Sequence, residues 1–306
     1  MASTSEGALR PAPRGRLDAG AAAMMVVLCA CWGLQQAIVK LAVADGAAPL
    51  SQAALRSVGA TLIVGVVVLG LGRRRGFVPT GTVLPGIGAG LLFALEFALL
   101  YTGVSLTTAS RAIIFLYVAP FVVAIGGHLM LPGERLGRWQ VLGLISAFAG
   151  IIAAFADGLF AGGGSLLGDL LMVGAAIAWG ATTLLIKAST LSRTAPLVTL
   201  LYQLAVSAVA LPLLALAHGA DLAIPLTTTV VLSMGFQIVI VASLSYLGWF
   251  VLISRYPASR LSAFSFLTPL FGVAAAALIL GDTLTPAFAL AMVLVAGGIW
   301  MVNRPG

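Results

Sequence analysis

Ten apolar runs of about twenty residues or more fill this chain, at 21–43, 50–71, 82–103, 108–131, 137–156, 166–189, 196–217, 227–253, 258–280 and 285–303. Wound as a helix, such a run crosses a hydrocarbon core of roughly 30 Å at about 1.5 Å per residue. The connections between runs are short, which leaves no space for a soluble domain of any size. A membrane β-barrel would instead show segments of ~10 residues with alternating polarity, and the sequence has none. The expected fold is therefore an all-α polytopic membrane protein with ten transmembrane helices. Composition agrees, because charged residues make up 8% of the 306 positions, against roughly a quarter in soluble domains.

Net charge is +7, a value that in a soluble protein would suggest nucleic acid. Its distribution argues for topology instead. With the N-terminus placed in the cytoplasm, Arg10, Arg14, Arg16, Arg73, Arg74, Arg75, Arg135, Arg138, Lys187, Arg193, Arg255, Arg260 and Arg304 fall on the cytoplasmic side. Lys40, Arg56 and Arg111 are the exceptions, and the outer segments carry Asp45, Asp157, Asp169, Asp221 and Asp282. This is the positive-inside pattern, which puts both termini in the cytoplasm of a cell inner membrane. No nucleic-acid partner is expected. The basic arm before the first run has the flavour of a signal peptide, but the apolar run continues past Cys31 to Val43. Cys29 and Cys31 point to different helix faces, and no metal-ligand spacing accompanies them.

The chain is also written twice. Trp32-Gly33 followed by Lys40 recurs as Trp179-Gly180 followed by Lys187, at an offset of 147. Arg111, Phe115, Tyr117 and Pro120 recur as Arg260, Phe264, Phe266 and Pro269, at an offset of 149. "LPGERL" at 131–136 is echoed by "ILGDTL" at 279–284. Each copy holds five helices, so the second must enter the membrane upside down. Two inverted-topology repeats around a central cavity are the architecture of many secondary transporters, with sites near the midplane. The expected organisation is a cytoplasmic arm (1–20), a first repeat (21–156), an outer linker (157–165), a second repeat (166–303) and a cytoplasmic end (304–306).

The motifs W-G-x6-K, [T/P]-A-S-R-x8-P and G-[E/D]-x-L, repeated in order in both halves, resemble the EamA-type families of the drug/metabolite transporter superfamily. The resemblance spans about 21–303. It implies ten helices in two five-helix halves and the export of small metabolites, amino acids foremost, with drugs or other metabolites as the alternative. Asp282 stands where such families usually show Glu, and Thr283 follows it.

Polar residues inside the spans are candidates for the transport path. Trp32, Gln36 and Lys40 form an i, i+4, i+8 stripe flanked by Gln35, and Trp179, Thr183 and Lys187 repeat it. The lysines, near helix ends, are expected to snorkel to the interface. Glu96 is the one carboxylate deep inside a span, roughly 10 Å from the outer end of its helix. Arg56 lies at a similar depth, and Arg111 is expected within reach of both. These three form either a structural ion pair that fixes helix register or a site for a zwitterion or a proton. Burial and a nearby arginine pull a carboxylate's proton affinity in opposite directions. Tyr117, Gln203 and Gln237 complete the expected substrate-binding set of Trp32, Gln35, Gln36, Arg56, Glu96, Arg111, Tyr117, Trp179, Gln203 and Gln237. Pro120 and Pro269, about eleven residues into their helices, should bend them and are read either as gating elements or as static kinks.

Three function classes remain to be weighed. A secondary transporter leads, moving a small molecule, with protons as a candidate coupling ion and no cofactor or metal. No phosphate-binding glycine loop is present to use ATP. An intramembrane enzyme would need a catalytic constellation, and a channel a filter-like loop or charged ring. The expected assembly is a monomer or a homodimer in the lipid bilayer.

Overall fold

The computed structural model describes residues 17–72, 80–160, 164–281 and 284–304. Arg10, Arg14, Arg16, Arg73, Arg74, Arg75, Asp282 and Thr283 lie outside the described residues. Ten spans are long and apolar enough to cross a membrane. They are α1 (Ala19–Ala44), α2 (Pro49–Gly72), α3 (Val83–Leu106), α4 (Ala109–Leu116 and Ala119–Met130) and α5 (Arg138–Phe160) in the first half. The second half holds α6 (Leu166–Ala188), α7 (Pro196–Ala217), α8 (Thr228–Ile253), α9 (Ala258–Phe264 and Leu267–Leu280) and α10 (Pro286–Asn303). One end of the bundle gathers the start of α1 and the end of α10; we call it the terminal face and the other the far face.

Local chemistry sets the helix ends. Asp18 accepts from the amide of Ala21 at 2.8 Å, and Ser165 accepts from Gly168 at 3.0 Å. Thr108 and Thr227 do the same for α4 and α8. Each satisfies an amide that a helix start leaves without a partner. The two expected bends are present as interruptions. Pro120 has no N–H to offer, and its ring crowds the carbonyl one turn back. The first piece of α4 accordingly stops at Leu116 and the second starts at Ala119. Pro269 acts likewise between Phe264 and Leu267.

Packing follows a pseudo-two-fold axis in the membrane plane. α4 against α6 is matched by α9 against α1, and α3 against α7 by α8 against α2. α5–α10 and α2–α7 lie on the axis itself. The repeated Trp-Gly dipeptide has a packing role in this scheme. A Cβ on Gly33 would come within 2.6 Å of Phe271 Cβ and 2.7 Å of the Gly272 amide on α9. One on Gly180 would come within 2.6 Å of Val122 Cγ1 on α4. Small residues let helix backbones approach closely in lipid, where dispersion rather than water exclusion drives association. Gly143 and Gly298 serve α5–α10 in the same way. Ser146 adds a hydrogen bond to the Leu294 carbonyl at 3.0 Å.

The two halves differ in one element. α3 is a continuous α-helix, whereas its counterpart α8 is π-wound over Phe236–Ser245. Ser243 Oγ donates to the Ile238 carbonyl at 2.8 Å, filling in where the winding is wide. Apolar periodicity does not distinguish such a segment from an ordinary α-helix, and π-winding is frequently found at functional sites.

Candidate functional site

Arg56 on α2 is 3% exposed, within the span. Its guanidinium carbon lies 5.1 Å from the centroid of the Phe97 ring, a cation–π contact. Its Nη2 has no hydrogen-bond partner. Glu96 is the neighbour of Phe97 on α3, at the level of this contact. Arg56 and Glu96 are nonetheless not joined. The ion pairs among the described residues are Arg111–Asp169 and Lys187–Glu134. Tyr101 on α3 and Tyr246 on α8 join the same cluster through the rings of Phe97 and Phe93. Rings close the site: Phe93–Phe97 at 4.8 Å, Phe97–Tyr101 at 6.0 Å and Phe93–Tyr246 at 6.2 Å. The sequence places Phe93, Phe97 and Tyr101 four residues apart, on one face of α3.

This constellation belongs to the first repeat alone. At the offset of 147 that relates Pro49 to Pro196, Arg56 corresponds to Gln203. At the offset of 149, Glu96 corresponds to Ser245 and Phe97 to Tyr246. Duplication built the frame twice, and the charges sit in one copy. A buried cation with an unmet donor, beside a carboxylate that does not touch it, is costly in hydrocarbon. It is suited to receiving a small ligand that carries both charges.

The remaining expected site residues fall elsewhere. Arg111 does not meet Glu96 or Arg56. Its guanidinium is engaged by Asp169, with Nε donating to Oδ1 at 3.1 Å, and Nη1 donates to the Leu159 carbonyl at 3.2 Å. Thr107 donates to the same carboxylate at 2.8 Å. The first turn of α6 carries Asp169, and this turn lies against the start of α4 because Gly168 abuts Leu106 and Thr107. Arg111 therefore ties α4, α5 and α6 together at the far face. Gln237 is 1% exposed and forms an amide relay, its Nε2 donating to Gln52 Oε1 at 2.7 Å and to Ser233 at 3.1 Å. Gln52 in turn donates to the Ala47 carbonyl at 2.8 Å. That relay is internal to α2 and α8 rather than turned to a cavity. Gln203 is buried within α7.

Tyr117 and Trp179 are partners in an aromatic cluster, 6.0 Å apart and edge-on, with Phe266 at 6.2 Å from Tyr117. Trp32 donates to Ser245 Oγ at 2.9 Å and meets Trp249 edge-on at 6.1 Å, so it adjoins the π segment beside Tyr246. Gln35 is half-buried, and Gln36 is exposed with its side chain toward Gly272 of α9.

The expectation that both lysines snorkel also fails for one of them. Lys187 has a side chain only 13% exposed and pairs with Glu134 at 3.3 Å. It also donates to the carbonyls of Ile253 and Tyr256 at 3.2 and 2.8 Å. Its counterpart Lys40 is exposed and has no ion pair among the described residues. Along the stripes, Gln36 is exposed while Thr183 is 3% exposed. Ala258 and Ser259 are buried at the start of α9, but Ala109 at the start of α4 is exposed. Amides and ammonium groups are not left on a lipid-facing stripe. The stripe on α1 is thus more open than its twin on α6.

A tenfold-spanning chain of two inverted halves, with charge buried between helices of the first, defines the class of integral-membrane transporters. The chain belongs to the EamA-like transporter family, whose model matches it twice, over residues 20–156 and 166–304. It is 28% identical over 282 residues to an "Uncharacterized transporter YvbV" of Bacillus subtilis, covering 92% of this chain and 91% of the other. It is 28% identical over 291 residues to a "Probable amino-acid metabolite efflux pump" of Salmonella typhimurium and 27% identical to the Escherichia coli protein of the same description. In both cases the match covers 92% of this chain and 93% of the relative. A solved crystal structure shares the fold, with a TM-score of 0.74 at 20% identity over 92% of this chain and 98% of its own.

Proposed function

We propose that this protein is a secondary transporter that exports small zwitterionic metabolites, amino acids foremost, by alternating access across the cell inner membrane. In this reading the terminal face is cytoplasmic. The observation that carries the substrate class is Arg56, a 3% exposed residue with an unmet Nη2, set over Phe97 beside Glu96 in sequence and forming no ion pair with that carboxylate. A substrate carboxylate accepts from Arg56, and a substrate ammonium donates to Glu96. Both protein charges are then neutralised by one molecule, which relieves the desolvation cost of each. The rings of Phe93, Phe97 and Tyr246 offer apolar surface to the rest of the substrate. Trp32 and Gln36 border the approach from the far face. The descriptions of the Salmonella and Escherichia relatives agree with this substrate class.

A lipophilic cation is the second reading, favoured by Glu96 among several rings. Arg56 speaks against it, because a buried guanidinium repels a ligand of positive charge alone. Protons are proposed as the coupling ion, with Glu96 the group that exchanges them, and the interruptions at Pro120 and Pro269 as the points where α4 and α9 flex.

The test is uptake of a labelled amino-acid panel into proteoliposomes, with and without an imposed pH gradient, for the wild type and Glu96→Gln. Saturable uptake that responds to the gradient in the wild type, with the response lost in Glu96→Gln, is the expected result. Uptake indifferent to the gradient and retained in Glu96→Gln refutes the coupling role. If no amino acid moves, the substrate class is wrong.

A further inference from the structure

Glu134 follows α4 in the sequence, and Lys187 ends α6, on the terminal face. Glu134 is 9% exposed. Its Oε1 accepts from the Ala258 amide at 2.9 Å and its Oε2 from the Ser259 amide at 3.2 Å, the first amides of α9. Lys187 Nζ pairs with Glu134 Oε1 at 3.3 Å and donates to the Ile253 and Tyr256 carbonyls where α8 ends. A carboxylate at a helix start and an ammonium at a helix end each satisfy backbone groups that the helix leaves open. Here one pair does both. Two side chains thereby hold four chain segments: the α4–α5 connection and the adjoining ends of α6, α8 and α9. Tyr256 extends the knot to α1 by donating to Asp18 Oδ2 at 2.6 Å.

The far face is tied differently: Arg111 and Asp169 join α4, α5 and α6 there, while Asp282, the counterpart of Glu134, lies outside the described residues. Lys40 occupies the position of Lys187 in the first repeat and is exposed, and Ala109, the counterpart of Ala258, is exposed too. The α4 start is capped instead by its own Thr108. Inverted repeats change access by exchanging the conformations of their two halves around a fixed site. The half that is knotted in this state must be released in the other. We propose that the Glu134–Lys187 pair is the latch that seals the terminal face, and that breaking it is the step that opens the site to that side. The proposal rests on the transporter class alone and is independent of which substrate is carried.

The chain supplies its own reporter. Its two cysteines are Cys29, which is buried, and Cys31, which is half-buried and next in sequence to Trp32, the residue that donates to Ser245. The experiment is labelling of Cys31 in the full-length protein by a membrane-impermeant maleimide, from each face of oriented vesicles, with Cys31→Ser as the blank. In the wild type, labelling from the far face should exceed that from the terminal face several-fold. Glu134→Gln weakens the pair and should raise terminal-face labelling at least threefold while far-face labelling falls. Lys187→Gln leaves the Glu134 cap on α9 in place and should act in the same direction if the first variant fails to accumulate. Equal labelling from both faces of the wild type overturns the proposal without any variant. So does unchanged terminal-face labelling in a folded Glu134→Gln or Lys187→Gln protein. Transport of no amino acid would leave these labelling results unaltered, so failure of the substrate reading and failure of the latch are distinguishable.

Discussion

Replacing Gly33 by alanine places one methyl group where α1 crosses α9. The added carbon would sit 2.6 Å from Phe271 Cβ, 2.7 Å from the Gly272 amide nitrogen and 2.8 Å from the Phe271 carbonyl carbon. Two of these neighbours are backbone, so no rotamer change relieves the clash, and α9 as a whole must withdraw. Overfilling a packed interior by one methylene or more costs about 1–3 kcal/mol. Alanine recovers ~1 kcal/mol of helix propensity, leaving a net loss of up to about 2 kcal/mol. Gly297→Ala is the matched control, because nothing lies within 4 Å of its added carbon. It keeps the propensity gain and should hold or raise stability by up to ~1 kcal/mol. Gly180→Ala should fall between the two, since it meets side-chain atoms of Val122 at 2.6 and 2.8 Å and the nearest backbone only at 3.5 Å. Thermal unfolding in detergent, followed by fluorescence, reads the order directly. The propensity gain is common to both variants, so at roughly 2–4 °C per kcal/mol Gly33→Ala should melt about 2–12 °C below Gly297→Ala. Equal midpoints for the three variants would refute the view that the repeated Trp-Gly dipeptide exists for helix contact.

Three further substitutions test the polar ties. Gln237→Leu leaves Gln52 Oε1 without its 2.7 Å donor in a fully buried position, a loss of about 1–3 kcal/mol visible in the same melting assay. Asp169→Asn weakens the contacts that hold Arg111, and should cost about 2 kcal/mol, the scale of charge-assisted hydrogen bonds. Combining it with Arg111→Gln should cost less than the sum of the two single changes, because both remove one shared interaction.

The ten spans were readable because length and polarity alone determine what crosses a bilayer, and the repeat was readable because Trp-Gly and A-S-R return at nearly constant offsets. Depth arithmetic brought Arg56 and Glu96 to one level, and in the structure Arg56 lies over the ring of Phe97, the residue next to Glu96, without an ion pair to Glu96. The same arithmetic misled for Arg111, whose long side chain reaches along the far face to Asp169 rather than inward. Depth fixes height in the membrane but not direction around the helix. Gln237 looked like a pocket residue because it is polar and deep, yet Gln52 on the neighbouring helix satisfies it. A pairing between residues 185 positions apart leaves no trace in local pattern. The π winding of α8 was equally invisible. Glu134 did carry a signal: it stands in the G-[E/D]-x-L motif, which fixed its place in the repeat but not its hold on α9 and Lys187.

The site itself is tested most directly by asking which half of a zwitterion it needs. In counterflow with proteoliposomes loaded with a transported amino acid, three competitors are compared: the amino acid, the amine that lacks its carboxylate and the acid that lacks its ammonium group. The account expects the amino acid to compete at least tenfold better than either analogue, and Arg56→Gln to erase its advantage over the amine while sparing its advantage over the acid. Equal competition by amine and amino acid in the wild type would contradict a site in which Arg56 takes a substrate carboxylate.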